Sequence, residues 1–217
     1  MKQLTRALIL LMVLGLAFPA SNVQAQESSF VPKMVLKTNP MAALGGPFWL
    51  VVVPITGEYR LLYEVKTVAK QSFTIGGSYL GPSLILNLDD ITNDGSGVTG
   101  INTSGFRFQG MYKFYLTRTN ESLEGFYVGP HVSYATAAIT SIDDPADRIE
   151  AVKLNINGVI GYQLIADSGF ALDIYTGLGF KNRTWNFDGD SGDLFSLDVQ
   201  NVMTPSVAFG LNFGFAF

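Results

Sequence analysis

Cysteine is absent from the 217 residues. No disulfide framework can therefore hold the fold, which leaves backbone pairing and burial as its only supports. The same absence excludes a lipoprotein, because acylation needs a cysteine. Histidine occurs once, as His131. A basic excess is also missing: the formal net charge is −4, and setting aside Lys2 and Arg6 leaves 12 basic against 18 acidic residues, or −6. Nucleic acid as a partner is excluded on that balance, since it requires a basic footprint. Long hydrophobic runs are lacking as well. Beyond the first 25 residues the longest, Phe48-Trp-Leu-Val-Val-Val-Pro-Ile55, falls far short of the ~20 residues of a membrane-spanning helix.

What is present begins with a targeting segment. Lys2 and Arg6 precede an apolar stretch from Ala7 to Ala20, and Val23-Gln24-Ala25 offers small residues for cleavage before Gln26. The sequence predicts a cleaved signal peptide over 1–25 and a single exported domain over 26–217. That domain is rich in aromatics and glycine, with 16 Phe, 9 Tyr and 23 Gly in the chain, and 47% of all residues are hydrophobic. Apolar residues dispersed in alternation, not in runs, are the signal of transmembrane strands, weak in any one segment.

The clearest alternation closes the chain. In Val207–Phe217 every odd position is large and apolar, save none, and every even position is small or polar. A period of two puts the two sets on opposite faces of one strand. A sandwich core would bury such a face, but an export signal and a terminal aromatic with no polar tail favour an aromatic face turned to lipid.

Seven further strands are predicted: Lys33–Ala42, Leu50–Tyr63, Ser72–Leu80, Gly105–Leu116, Gly125–Ala137, Ala151–Ile165 and Phe170–Lys181. The eighth begins near Met203. Their connections alternate in length. Glu64–Gln71, Thr117–Glu124 and Ala166–Gly169 are the shorter turns, expected on the periplasmic side. Gly81–Ser104, Ala138–Glu150 and Asn182–Val202 are the longer, external links. Ala43–Pro47, short and external, breaks the pattern. The fold class is thus all-β, an eight-stranded antiparallel up-and-down transmembrane β-barrel.

Particular residues follow from the facing. Tyr59, Tyr112 and Tyr162 each precede an inward polar residue and a turn, and are expected to form a periplasmic aromatic girdle. Lys37, Glu58, Arg60, Arg107, Lys113, His131, Lys153 and Asp173 are expected to face the lumen as one polar network, since an eight-stranded barrel is only wide enough for side chains to fill it. The outer links collect acid, and Asp188-Gly-Asp-Ser-Gly-Asp193 hints at a calcium loop. Gly192 stands in place of a third ligand, so Asp188, Asp190 and Asp193 are weak metal candidates and no metal or other cofactor is expected.

Taken with the Gln-Ala-Gln junction at 24–26, Leu36-Lys-Thr-Asn-Pro40, Gly57-Glu-Tyr-Arg60 and Phe217, the chain resembles small eight-stranded outer-membrane barrels of the OmpA/OmpX-like group. It is similar in particular to barrel proteins of the Bacteroidetes type. The resemblance implies insertion by the barrel-assembly machinery, which reads a terminal aromatic such as Phe217. It also implies an outer-membrane location, contact with membrane lipid and lipopolysaccharide, and a monomer. A structural or surface-interaction role without enzymatic activity is expected.

Two alternatives stay open. Lipid A deacylases are also eight-stranded barrels with a His-x-Ser pair, which His131-Val132-Ser133 resembles, although Tyr134 replaces their asparagine. A narrow channel or carrier for small or hydrophobic molecules is the other.

Overall fold

The computed structural model describes residues 31–43, 56–82, 101–116, 123–141, 148–188 and 203–217. The predicted signal peptide lies outside them. Eight strands run in chain order: β1 (Met34–Thr38), β2 (Thr56–Val68), β3 (Gln71–Pro82), β4 (Ile101–Tyr115), β5 (Gly125–Ser141), β6 (Arg148–Ile165), β7 (Phe170–Asp188) and β8 (Thr204–Ala216). A short helix, α1 (Pro40–Ala43), follows β1. Each strand pairs antiparallel with the next, and β8 returns to β1, so the sheet closes as a barrel. The seam is short, since among the described residues β1 pairs with only Phe213–Ala216 of β8. The closing seam pairs Val35 with Ala216 and Lys37 with Gly214. Past the last pair, the Phe217 carbonyl accepts from the Met34 amide at 3.0 Å and the Phe217 amide donates to Met34 at 2.9 Å.

Alternation sorts the two faces. On β6, Leu154, Ile156, Ile160 and Leu164 are exposed to the outside, whereas Asn155, Asn157, Val159 and Gln163 are buried within. The outward positions of β6 carry no charge from Val152 to Tyr162, a length that suits the ~9–11 residues of a tilted membrane strand. At the far end, Thr136 donates to Glu150 at 3.1 Å, where the outer surface becomes polar.

The two ends of the barrel differ. One, the turn end, holds the start of β1, Phe217 and tight links. Ala166 and Gly169 close a turn by a 2.8 Å hydrogen bond, with Gly169 at φ 85, a conformation that suits glycine. The other, the loop end, is where the strands lead into the longer links.

Several boundaries differ from expectation. The first strand stops at Thr38, not Ala42, because Asn39 caps a helix: its Oδ1 accepts from the Ala42 amide at 3.0 Å, and Pro40 suits the first helical position. The first loop-end link therefore begins at Asn39, ahead of the expected Ala43, and the rest of the expected link, 44–47, lies outside the described residues. The expected strand portion Leu50–Ile55 lies outside the described residues. β2 continues to Val68, so Glu64–Gln71 is not a turn; the chain reverses at Ala69-Lys70, with Lys70 at φ 61.

That extension relocates Tyr59. It pairs with Tyr79, which pairs with Phe106, and the ring centroids lie 6.3 and 5.8 Å apart. The three rings belong to the loop end, so Tyr59 is not in a girdle with Tyr112 and Tyr162. Those two do lie near the turns: Tyr112 packs on Phe114 at 5.0 Å and Tyr162 on Phe126 at 4.8 Å. Phe170, beside Phe215 at 6.2 Å, extends the turn-end aromatic band.

Candidate functional site: two polar clusters in the lumen

Side chains fill the lumen in layers. Nearest the turns, Val35, Tyr115, Leu123, Ala171 and Ala216 make an apolar floor. Inward glycines leave room for the larger side chains above it. A Cβ at Gly161 would stand 2.5 Å from the Tyr127 ring, and one at Gly214 would stand 2.7 Å from Cγ of Lys37.

On this floor sits an ionic cluster. Lys37 of β1 reaches Glu64 Oε2 at 2.5 Å, Asp173 Oδ2 at 2.6 Å and Gln163 Oε1 at 3.0 Å. Lys113 of β4 reaches the same three oxygens at 3.2, 3.0 and 2.8 Å. An ammonium has three donors, and each lysine spends all three on this shared triangle. The remaining carboxylate oxygens are also occupied. Glu64 Oε1 accepts from Ser72 at 2.5 Å and Tyr115 at 2.7 Å, and Asp173 Oδ1 accepts from Tyr127 at 2.6 Å. Lys113 lies 4.2 Å from the centroid of the Tyr127 ring, a cation–π contact. Gln163 donates to the Leu123 carbonyl at 2.8 Å, tying the cluster to the β4–β5 link. Two positive and two negative charges thus cancel, with none of the four side chains more than 2% exposed. Burial of unpaired charge is costly, and this geometry leaves none.

The second cluster, toward the loop end, is of another kind. Glu58 is gripped by two guanidiniums: Arg60 binds Oε1 at 2.8 and 2.9 Å, and Arg107 binds Oε2. Lys153 stands near Arg107, with Lys181 and Arg183 of the same sign beside it. Among the described residues, one carboxylate therefore faces an excess of cations. Arg60 Nη1, Arg107 Nε, both nitrogens of His131, and Oδ1 of Asn155 and Asn157 have no hydrogen-bond partner among the described residues. The residues that carry these groups line a cavity of about 450 Å³, together with Asn39 and Ala42 of the α1 segment.

The eight residues expected to form one lumen network hence divide. Lys37, Lys113 and Asp173 belong to the lower cluster. Glu58, Arg60, Arg107, His131 and Lys153 belong to the upper one. Glu64 joins the lower cluster from a stretch read as a turn, although the period set by Glu58 and Arg60 points it inward. Ser72, Tyr115, Tyr127 and Gln163 complete that cluster.

His131 and Ser133 share the lumen face of β5, both buried. Ser133 Oγ accepts from Asn155 at 2.9 Å, while the His131 ring lies 6.0 Å from that of Tyr175. Among the described residues no His131–Ser133 hydrogen bond and no carboxylate on the imidazole occur. Asp188 ends β7, whereas Asp190 and Asp193 lie outside the described residues. Among the described residues no group of three or more His, Cys, Asp or Glu is placed to hold a metal. Comparison with family models, curated proteins and solved structures finds no match for the chain.

Proposed function

We propose that this protein is an integral outer-membrane barrel, similar in architecture to the OmpA/OmpX-like group, whose role is structural or one of surface interaction through its external loops. The closed eight-stranded barrel with an apolar, aromatic-rich band around its outer face carries this reading. Such a face would be costly in water, whereas a bilayer matches it, and closing the sheet on β1 supports the same reading. The ionic cluster fills the lumen section near the turns, which supports a barrel without a continuous pore. A hydrolase attacking lipid would require His131 and Ser133 outside, so that reading is not adopted.

The test is electrophoretic. Folded protein should run faster in unheated SDS than after boiling and should fractionate with outer membranes. A heat-insensitive band from a soluble periplasmic fraction would defeat the proposal.

A further inference from the structure

The upper cluster has features that a structural plug does not require. Among the described residues its cations exceed its one carboxylate, and water can solvate that excess but cannot neutralise it. Arg60 is nine-tenths buried and lines the cavity, and its Nη1, itself buried, has no acceptor among the described residues. Arg107 likewise keeps its Nε unpaired. Guanidiniums with free donors match the oxygens of phosphate and carboxylate. Further along β6 from Lys153 the wall is lined by amides: Asn155 and Asn157, 7% and 4% exposed, each keep one unpaired amide oxygen. Unpaired acceptors in a buried wall suit a ligand that brings hydroxyl donors. All these groups stand on paired strands, so the site is formed before a ligand arrives. A volume near 450 Å³ fits one small molecule and falls in the usual range for ligand pockets, roughly 300–1,000 Å³.

We propose that the loop-end cavity binds a small anionic carbohydrate, a sugar phosphate or sugar acid. Its anionic group would lie among Arg60, Arg107 and Lys153, and its hydroxyls against Asn155, Asn157 and Ser133. The site goes beyond the structural role and depends only on the closed barrel.

Titration calorimetry of the full protein in detergent micelles tests it, after the heat shift in SDS has established that each sample is folded. The probes are glucose 6-phosphate, glucuronate, glucose and inorganic phosphate. Glucose 6-phosphate or glucuronate should bind with a Kd below about 1 mM. Glucose and inorganic phosphate should bind at least about tenfold more weakly, since each satisfies only one wall. Which anionic sugar binds better distinguishes a phosphate-selective from a carboxylate-selective site. Arg107→Gln and Lys153→Gln should each weaken binding about tenfold, the loss of roughly one charged hydrogen bond. Arg148→Gln, whose side chain pairs with Glu150 on the outer face, should bind as the parent does. No heat from either anionic sugar at about 10 mM overturns the proposal. So does inorganic phosphate binding as tightly as glucose 6-phosphate, or unchanged affinity in both lumen variants.

Discussion

The two lumen clusters are built from similar residues and have opposite chemistry. Near the turns, Lys37 and Lys113 meet Glu64 and Asp173 around a shared triangle of oxygens, and every donor is used. Toward the loops, Arg60 and Arg107 share one carboxylate with Lys153 nearby, and buried donors and acceptors stay unpaired in residues that line a cavity. Charge content alone therefore does not say what a barrel interior is for. A balanced, dry cluster holds strands together across the lumen, whereas an unbalanced one beside open space is suited to a visitor.

The largest effect should come from unbalancing the dry cluster. Asp173→Leu leaves two ammoniums with one carboxylate and removes the acceptor of Tyr127, and should cost about 3–5 kcal/mol. Urea unfolding of the barrel refolded in phospholipid vesicles reads this. The double variant Lys37→Met with Asp173→Leu restores the balance and should regain more than half of the loss. Strict additivity of the two would mean that the cluster does not act as a unit.

Smaller losses should follow from its supports. Tyr127→Phe removes one hydrogen bond to the Asp173 carboxylate and should cost about 1.5–3 kcal/mol in the same measurement. Gly161→Ala forces a methyl group to within 2.5 Å of that ring and should cost about 1–3 kcal/mol by overpacking. An unchanged unfolding midpoint for Gly161→Ala would show that Tyr127 has another place to go.

Much of this contrast was legible in the sequence, but not its key member. Period-two facing placed Lys37, Lys113 and Asp173 inside, because small barrels alternate with little interruption. Glu64 escaped notice since Glu64–Gln71 is polar and resembles a turn, although β2 runs on to Val68. The same misreading put Tyr59 at the wrong end. Asn39-Pro40 held a readable helix start, cap then proline, that strand periodicity obscured. What no linear pattern carries is the shared triangle. Lys37 and Asp173 are 136 residues apart, and only the stagger of the closed sheet brings their side chains together. The division of the lumen into two clusters is for that reason a property of the folded barrel.

The smallest expected effect on stability separates the clusters most sharply. Arg107→Gln removes a guanidinium from Glu58, as Asp173→Leu removes a carboxylate from Lys37, yet it should cost less than about 1 kcal/mol. Glu58 keeps Arg60 at 2.8 and 2.9 Å, and the Arg107 side chain is 22% exposed, so water can replace it. Removing one like charge from beside Lys153 also relieves repulsion, which offsets part of the lost pairing. If Arg107→Gln instead unfolded as early as Asp173→Leu, the upper cluster would be as structural as the lower one. A near-parental unfolding midpoint would show that the arginine is retained for something other than stability.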